Sequence, residues 1–504
     1  MDTLLRYPHP REIELKLEIA SGHADALLAH PLLALARPLP EESGNLHATY
    51  FDTPDHILRR AGLTLRIRRK NARLIQTIKA ESGPRGLALD RGEWERPVEN
   101  GIDLAAATGT PLAPILTEDG TRERIAPVFT IETDRRAFLI VRDEAVIEIA
   151  LDQAKISAAS RHHSFCEVEL ELKKGDPSHL FAVACELAET IPLRLSPFTK
   201  SDRGYDLIDD MTARPVTAEA IDLPSSTSCA EAFAIIARSC LSQIVRNEAL
   251  FRRTKDAEAL HQLRIGFRRL QAATSLFKPM LLDRESRNVK DRLRWAGRQL
   301  GPARDLDVLI GSVHKPADVG AHAAELRRAE KKRAKAYDTL LNTLSSPRFM
   351  RTILRTAAWI EAGRWRTRDK RGVSQMRERL IRDYAPGELA RRWKPIRKRL
   401  KQVAILEAED RHALRLRIKK LRYISEFLEG LFLDLSKKPD RSWLTTFKRL
   451  QDILGELNDI VVGSSILPAL AQSDPERARR RKKKLLSQAE ASARTLRKSD
   501  PFWV

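Results

Sequence analysis

The sequence predicts an α+β multidomain protein: an N-terminal closed antiparallel β-barrel, tunnel-like and flanked by helices, followed by an all-α half of duplicated helical bundles. Three observations predict it. Glu12-Ile13-Glu14-Leu15-Lys16-Leu17-Glu18-Ile19 alternates charged and apolar residues with a period of two. In a strand, that alternation sets Glu12, Glu14, Lys16 and Glu18 on one face and Ile13, Leu15, Leu17 and Ile19 on the other. From Cys229 onward the pattern is helical almost throughout, in amphipathic runs rich in Leu, Ala, Arg and Lys. That half also repeats itself. His261–Leu270 aligns with His412–Leu421 at an offset of 151, Leu300–Asp305 with Leu454–Asp459 at 154, and Pro347 with Pro501 at the same offset.

Four later segments share the first pattern: Leu65-Arg66-Ile67-Arg68-Arg69-Lys70, Arg91-Gly92-Glu93-Trp94-Glu95, Glu148 to Asp152, and Glu167 to Lys173. Each carries like charges on one face, and like charges on neighbouring strands repel. A surface sheet would leave one whole face crowded with uncompensated charge. A closed barrel with an apolar outside resolves this by facing an acidic zone with a basic one. The acidic zone suits a divalent cation bound through oxygen, and the basic zone suits a polyanion.

A chain of 504 residues exceeds one core. The expected organisation is a barrel over 1–210, a linker over 211–226 containing Pro215, Pro224 and Ser225-Ser226, and a helical domain over 227–504, with repeats at about 227–350 and 375–504. Turn signals fall at Thr53-Pro54, Ser82 to Gly86 and Asp176-Pro177, and an Ala-rich apolar pattern from Ser178 to Thr190 predicts a helix packed on the barrel. Net charge is +22, split as −7 over residues 1–210 and +29 over the rest. The second half therefore attracts polyanions. No apolar run reaches bilayer length and Met1 to Pro10 lacks a signal pattern, so a cytoplasmic protein without a membrane partner is expected. Cys166, Cys185, Cys229 and Cys240 lack metal-ligand pairing and read as reduced packing residues.

In the helical half, His261, Arg264 and Arg268 stand at i, i+3 and i+7, as do His412, Arg415 and Lys419, the latter stripe extended by Arg422. Arg269 and Lys420 adjoin these stripes. The opposite faces carry Leu263, Phe267 and Leu270, or Leu414, Ile418 and Leu421. No carboxylate or second histidine has ligand spacing with either His, which disfavours a metal there and favours an anion cleft. The run Arg479 to Lys484 would attract nucleic acid electrostatically, but it lacks interleaved aromatics, so no specific nucleic-acid partner is expected.

Glu12-x-Glu14-x-Lys16 resembles the signature of the CYTH superfamily, the triphosphate tunnel metalloenzymes. Tyr50-Phe51-Asp52-Thr53-Pro54, Leu65 to Arg68, Thr77-Ile78-Lys79, Arg91 to Glu95, Thr133 to Arg136, Glu148 to Asp152, Glu167 to Lys173 and Lys200-Ser201-Asp202-Arg203-Gly204 extend the resemblance over residues 8 to 210. It implies metal-dependent hydrolysis of tripolyphosphate to pyrophosphate and phosphate, with Mg2+ or Mn2+ as cofactor. Catalysis would fall to Glu12, Glu14, Lys16, Lys79, Glu93 and Glu95, and metal binding to Glu12, Glu14, Asp152, Glu169 and Glu171. Arg66, Arg68, Arg91, Arg135, Lys200 and Arg203 would hold phosphate oxygens. Arg135 is expected inside, with Arg136 on the opposite face. Where the family has Gly two residues after the Asp152 position this chain has Ala154, which suggests a different turn after that strand.

Residues 227 to 504 resemble the CHAD family, the histidine-containing α-helical domain, through the His-x-x-Arg-x-x-x-Arg/Lys and Leu-Gly-x-x-Arg/Asn-Asp segments and the Pro501-Phe502-Trp503 ending. That implies two bundles related by an approximate twofold, a basic cavity between them, and inorganic polyphosphate as partner. His261, Arg264, Arg268, Arg269, His412, Arg415, Lys419, Lys420 and Arg422 would bind it, with association to polyphosphate granules. Two alternatives stand: a non-catalytic polyphosphate-binding protein, or an enzyme acting on an organic triphosphate such as thiamine triphosphate or ATP.

Overall fold

The computed structural model describes residues 11–70, 73–81, 88–118, 120–142, 144–209, 214–313, 323–432, 441–466 and 475–503. The Met1–Pro10 start, the Ser82 to Gly86 turn, positions 211–213 of the linker and Val504 lie outside the described residues. The chain divides into two compact units, Met1–Arg214 with Ser346–Ala362, and Pro215–Ser345 with Gly363–Val504. The helix Pro347–Ala362 thus clusters with the first unit, where Arg351 stands 3.7 Å from Glu189.

The strands of the first unit are β1 (Arg11–Glu18), β2 (Arg37–Pro38), β3 (Gly44–Asp52), β4 (Leu63–Lys70), β5 (Arg73–Glu81), β6 (Leu89–Val98), β7 (Ala126–Arg142), β8 (Ala145–Ala158), β9 (Arg161–Lys174) and β10 (Arg194–Leu195). Eight of them follow the order β1-β6-β5-β4-β3-β7-β8-β9, and β9 pairs back onto β1, closing an antiparallel barrel. Closure removes sheet edges and turns the charged parity of β1, β4, β6, β8 and β9 to the inside. The opposite parity is apolar: Leu15 and Leu17 are fully buried, each stabilising the fold by about 2 kcal/mol. Leu65, Ile67 and Ile78 pack outside the wall against Leu58, Ala107 and Leu112. β8 runs straight through Ala154, whose small side chain packs near Ile156 and Tyr205. The turn after this strand comes at Ala159, whose φ is +50°.

One end of the barrel is apolar. Ala48, Tyr50, Phe129 and Ile131 share the inward parity and pack with Tyr205 from the helix Lys200–Ile208. Thr199 caps that helix, accepting from Asp202 N while the Asp202 side chain accepts from Thr199 N. Gly204 is required where the helix meets the barrel, because a Cβ there would lie 2.2 Å from the Phe129 ring.

In the second unit the helix Ala257–Leu276 packs against Cys229–Thr254 and against Ala408–Leu428, its counterpart in the other repeat. Ser228 closes a capping box on Cys229–Thr254, and Asp256 accepts from Ala259 N at the head of Ala257–Leu276. The repeats differ at their shared Leu-Gly: helices Arg284–Gln299 and Gly301–Val313 meet at Leu300, whereas Leu454-Gly455 lies inside the continuous helix Arg441–Ile466. Among the described residues, no helix is long and apolar enough to cross a membrane.

Gly204→Ala should lower stability by about 2 kcal/mol through overpacking against Phe129, read as a drop in thermal midpoint. Adding Phe129→Leu should recover part of the loss.

Candidate functional site

The barrel encloses a cavity of about 310 Å³ lined by inward residues of all eight strands. Register explains which charges meet. Glu14 and Glu148 both lie opposite Glu171, Lys16 lies opposite Glu169, and Asp152 lies between Arg135 on β7 and Glu167 on β9. On the other side Lys79 lies opposite Glu93, and Arg66 and Arg68 project from β4.

Most of these charges are already paired. Lys79 donates to Glu12 at 2.7 Å and stands 2.9 Å from Glu93. Arg91 bonds Glu12 and Glu14, and Lys16 bonds Glu169 and stands 3.0 Å from Glu14. Arg135 forks onto Asp152 at 2.6 and 2.7 Å and reaches Glu169. Lys200, from the head of its helix, donates to Asp152, Glu167 and Glu169 at 2.7, 2.6 and 2.8 Å. Burial opposes the charged form of Glu169, but Lys16, Lys200 and Arg135 outweigh it and hold that carboxyl well below its usual range. Asp152 is likewise lowered against burial by Arg135 and Lys200. Glu171 behaves oppositely. Burial, with Glu12 and Glu148 nearby, raises it to about 7 despite Lys173.

Two cations are not matched this way. Arg66 approaches Glu93 only to 3.9 Å and Arg68 approaches Glu95 only to 3.5 Å. The Nε atoms of both are buried without a hydrogen-bond partner. Burial and the adjacent Arg66 push the Arg68 guanidinium below its ordinary value, an environment that an incoming anion relieves.

Asp152, Glu167 and Glu169 form the described cluster able to hold a metal ion, their ligand oxygens all lying within 4.8 Å of one another. Glu167 Oε2 is buried without a hydrogen-bond partner, and three carboxylate donors suit a hard divalent cation. The residues fit such an ion, with the Lys200 ammonium standing among the same oxygens in this structure.

The second unit has a cavity of about 820 Å³ between its repeats. His261, Arg264, Arg268 and Arg304 line one side, and His412, Arg415, Lys419 and Arg481 the other. Arg264 bonds Asp305 at 2.9 Å, and His412 Nδ1 lies 2.6 Å from Asn458. The cations crowd one another: burial together with Arg415 and Arg268 lowers the Lys419 ammonium to about 7, and burial with Arg304 lowers His261 to about 4.

Residues 10–205 match the family model of the CYTH domain, and residues 235–468 that of the CHAD domain. The chain joins a CYTH domain to a CHAD domain. An inorganic triphosphatase of Haemophilus influenzae is 30% identical over 200 residues, 39% of this chain and 54% of that protein. An uncharacterised protein of Mycobacterium tuberculosis is 25% identical over 335 residues, 63% of this chain and 61% of that protein. The chain thus spans between half and two thirds of the length of these curated relatives. Among solved structures, the CHAD domain of Ricinus communis is 27% identical with a TM-score of 0.47, covering 56% of this chain and 97% of that one.

Within the CYTH tunnel the structure brings together Glu12, Glu14, Lys16, Arg66, Arg68, Lys79, Arg91, Glu93, Glu95, Arg135, Glu169, Glu171 and Lys200. Asp152 is fully buried behind them. Arg203 does not join the lining; its guanidinium lies over the Phe165 and Phe198 rings. In the CHAD cavity Arg269, Lys420 and Arg422 are likewise outside the lining. Arg269 is buried on Gln243 and Phe427, Arg422 bonds Gln451, and Lys420 sits among Arg391, Arg392 and Glu388. Sequence reasoning left Glu167, Glu148 and Lys173 without roles, although each shares strand parity with an assigned neighbour. It also noted the Arg304-Asp305 and Asn458-Asp459 pairs without placing them in the cavity.

Because Asp152 and Glu169 are lowered, their contribution to stability should be present above about pH 5 and lost as pH falls toward their folded values. Lys200→Met should cost about 3 kcal/mol at neutral pH by leaving that cluster uncompensated. Thermal unfolding checks both, and saturating Mn2+ should restore part of the Lys200→Met loss.

Proposed function

We propose that the CYTH tunnel hydrolyses inorganic tripolyphosphate to pyrophosphate and phosphate with Mg2+ or Mn2+, and that the CHAD cavity binds inorganic polyphosphate. The carrying observation is the pair Arg66 and Arg68, half-buried, whose buried Nε donors lack a hydrogen-bond partner in a tunnel walled by carboxylates. Guanidinium donors bind phosphate oxygens in pairs. Lys16, Lys79, Arg91, Arg135 and Lys200 come from five other elements and would surround the rest of a short polyanion. A divalent ion, when bound, supplies charge neutralisation at phosphate oxygens and acidifies an attacking water. Asp152, Glu167 and Glu169, with Glu171 and the adjoining Glu12, Glu14 and Glu148, would hold it. Glu93 and Glu95, on the phosphate side, would orient the water.

Tyr50 is the sole aromatic among the described tunnel-lining residues, and its ring is stacked on Phe129 at 4.5 Å. Among the described lining residues no second aromatic stands by to sandwich a base or thiazole ring, which supports an inorganic rather than an organic triphosphate. The 30% identity to an inorganic triphosphatase points the same way.

Phosphate release should be strong from tripolyphosphate with Mg2+ or Mn2+, weak from ATP, and absent with chelator. Arg66→Ala should lower kcat/KM about 100-fold. No release from either substrate, with polyphosphate still bound, would leave a two-domain polyanion binder.

For the CHAD cavity, polyphosphate should raise the depressed Lys419 ammonium, so binding at pH 8 takes up protons there. Calorimetry in buffers of different ionisation enthalpy reads this uptake, and Lys419→Met should abolish it.

A further inference from the structure

Two sequence motifs remain outside the tunnel chemistry, Tyr50-Phe51-Asp52-Thr53-Pro54 and the stretch after Lys200. They meet in space. Asp52, at the end of β3, is fully buried and accepts four hydrogen bonds. Three come from backbone amides, Thr53 N and Leu58 N to Oδ1 at 2.7 and 2.9 Å and Arg59 N to Oδ2 at 3.0 Å. The fourth comes from the Tyr205 hydroxyl at 2.6 Å. Burial and this carboxylate push the Tyr205 phenol well above its ordinary value, so it remains a donor.

The Tyr205 ring is held on every side: Phe129 meets it edge-on at 5.3 Å, His56 at 5.1 Å, and the Arg59 guanidinium lies over it at 4.6 Å. Gly204 beside it allows no lateral shift, because Phe129 occupies the space of a Cβ. Tyr205 therefore fixes the helix Lys200–Ile208 against both rotation and sliding. Five residues earlier, the same helix delivers the Lys200 ammonium to three carboxylates on β8 and β9. An ammonium on a four-carbon stem would otherwise sample several positions.

We propose that Asp52 is a positioning residue which, through the Tyr205 hydroxyl, sets the register of the Lys200–Ile208 helix and holds Lys200 among Asp152, Glu167 and Glu169. Its effect on rate rests on the tunnel being the hydrolytic site; its effect on the carboxylate cluster does not. Loosening this anchor lowers the occupancy of the cluster by Lys200, which eases entry of a divalent ion and misplaces a phosphate-side cation.

The test is a double-mutant cycle in the full-length chain with Tyr205→Phe, Lys200→Met and the pair, reading Mn2+ affinity by calorimetry and kcat and KM for tripolyphosphate. Tyr205→Phe should tighten Mn2+ about threefold and lower kcat about tenfold with KM nearly unchanged, and both effects should fall below about twofold in the Lys200→Met background. Effects of equal size in both backgrounds, or none in either, overturn the proposal. If no variant hydrolyses tripolyphosphate, the Mn2+ arm alone decides it, separating failure of this proposal from failure of the hydrolase reading. If Tyr205→Phe does not fold, Asp52→Asn takes its place in the same cycle.

Discussion

The structure depends on one constraint: ionised groups on the inner wall of a closed barrel must be compensated by one another. Removing a carboxylate from water without a partner costs several kcal/mol. Antiparallel register supplies the partners, setting Lys16 beside Glu169, Lys79 beside Glu93 and Arg135 beside Asp152. The fold thus puts many of its stabilising apolar contacts outside the wall, in clusters such as Leu65, Ile67 and Ile78 with Leu58 and Leu112, and gives the inside to balanced charge except at the apolar end formed by Ala48, Tyr50, Phe129 and Ile131.

Balance within the wall has a consequence for ligands. The cations suited to phosphate are largely the ones that neutralise the carboxylates suited to a metal. Glu169 alone is bonded by Lys16, Arg135 and Lys200. A divalent ion and a phosphate chain entering together let each set exchange one partner for another, whereas either entering alone strands its opposite. Arg66 and Arg68 escape this exchange, because their nearest carboxylates stand at 3.9 and 3.5 Å. They are the groups a polyanion reaches at least expense of existing pairs.

Much of this was legible in sequence because a strand has a period of two. The parity that put Glu12, Glu14 and Lys16 together also put Arg135 inside, and the barrel formed as that reading required. What was not legible depended on contacts distant in sequence. Glu167 shares parity with Glu169, yet its place beside Asp152 follows from the β8–β9 register. Arg203 lies one turn from Lys200, but Phe165 and Phe198 take its guanidinium. On helices, Arg269 and Lys420 follow stripe residues by one position, about 100° around the axis, which turns them out of the cavity. The helix Pro347–Ala362 shows the limit of linear reading: its sequence is as helical as its neighbours, and only its packing assigns it to the first unit.

The two cavities follow opposite electrostatic logics. In the CYTH tunnel most cations are already paired with carboxylates, while Arg66 and Arg68 stand 3.9 and 3.5 Å from theirs, so a polyanion reaching past those two would have to exchange partners. The CHAD cavity leaves His261, Arg268, Arg415 and Lys419 repelling one another, with Lys419 lowered to about 7 and Arg268 and Arg415 also depressed. A polyanion entering there would relieve that repulsion at any point along its chain, with little demand on register. Carboxylates line both cavities, but in the CHAD cavity Asp305, Glu456 and Asp459 leave His261, Arg268 and Lys419 crowded against one another, whereas in the tunnel strand register sets a carboxylate beside most cations.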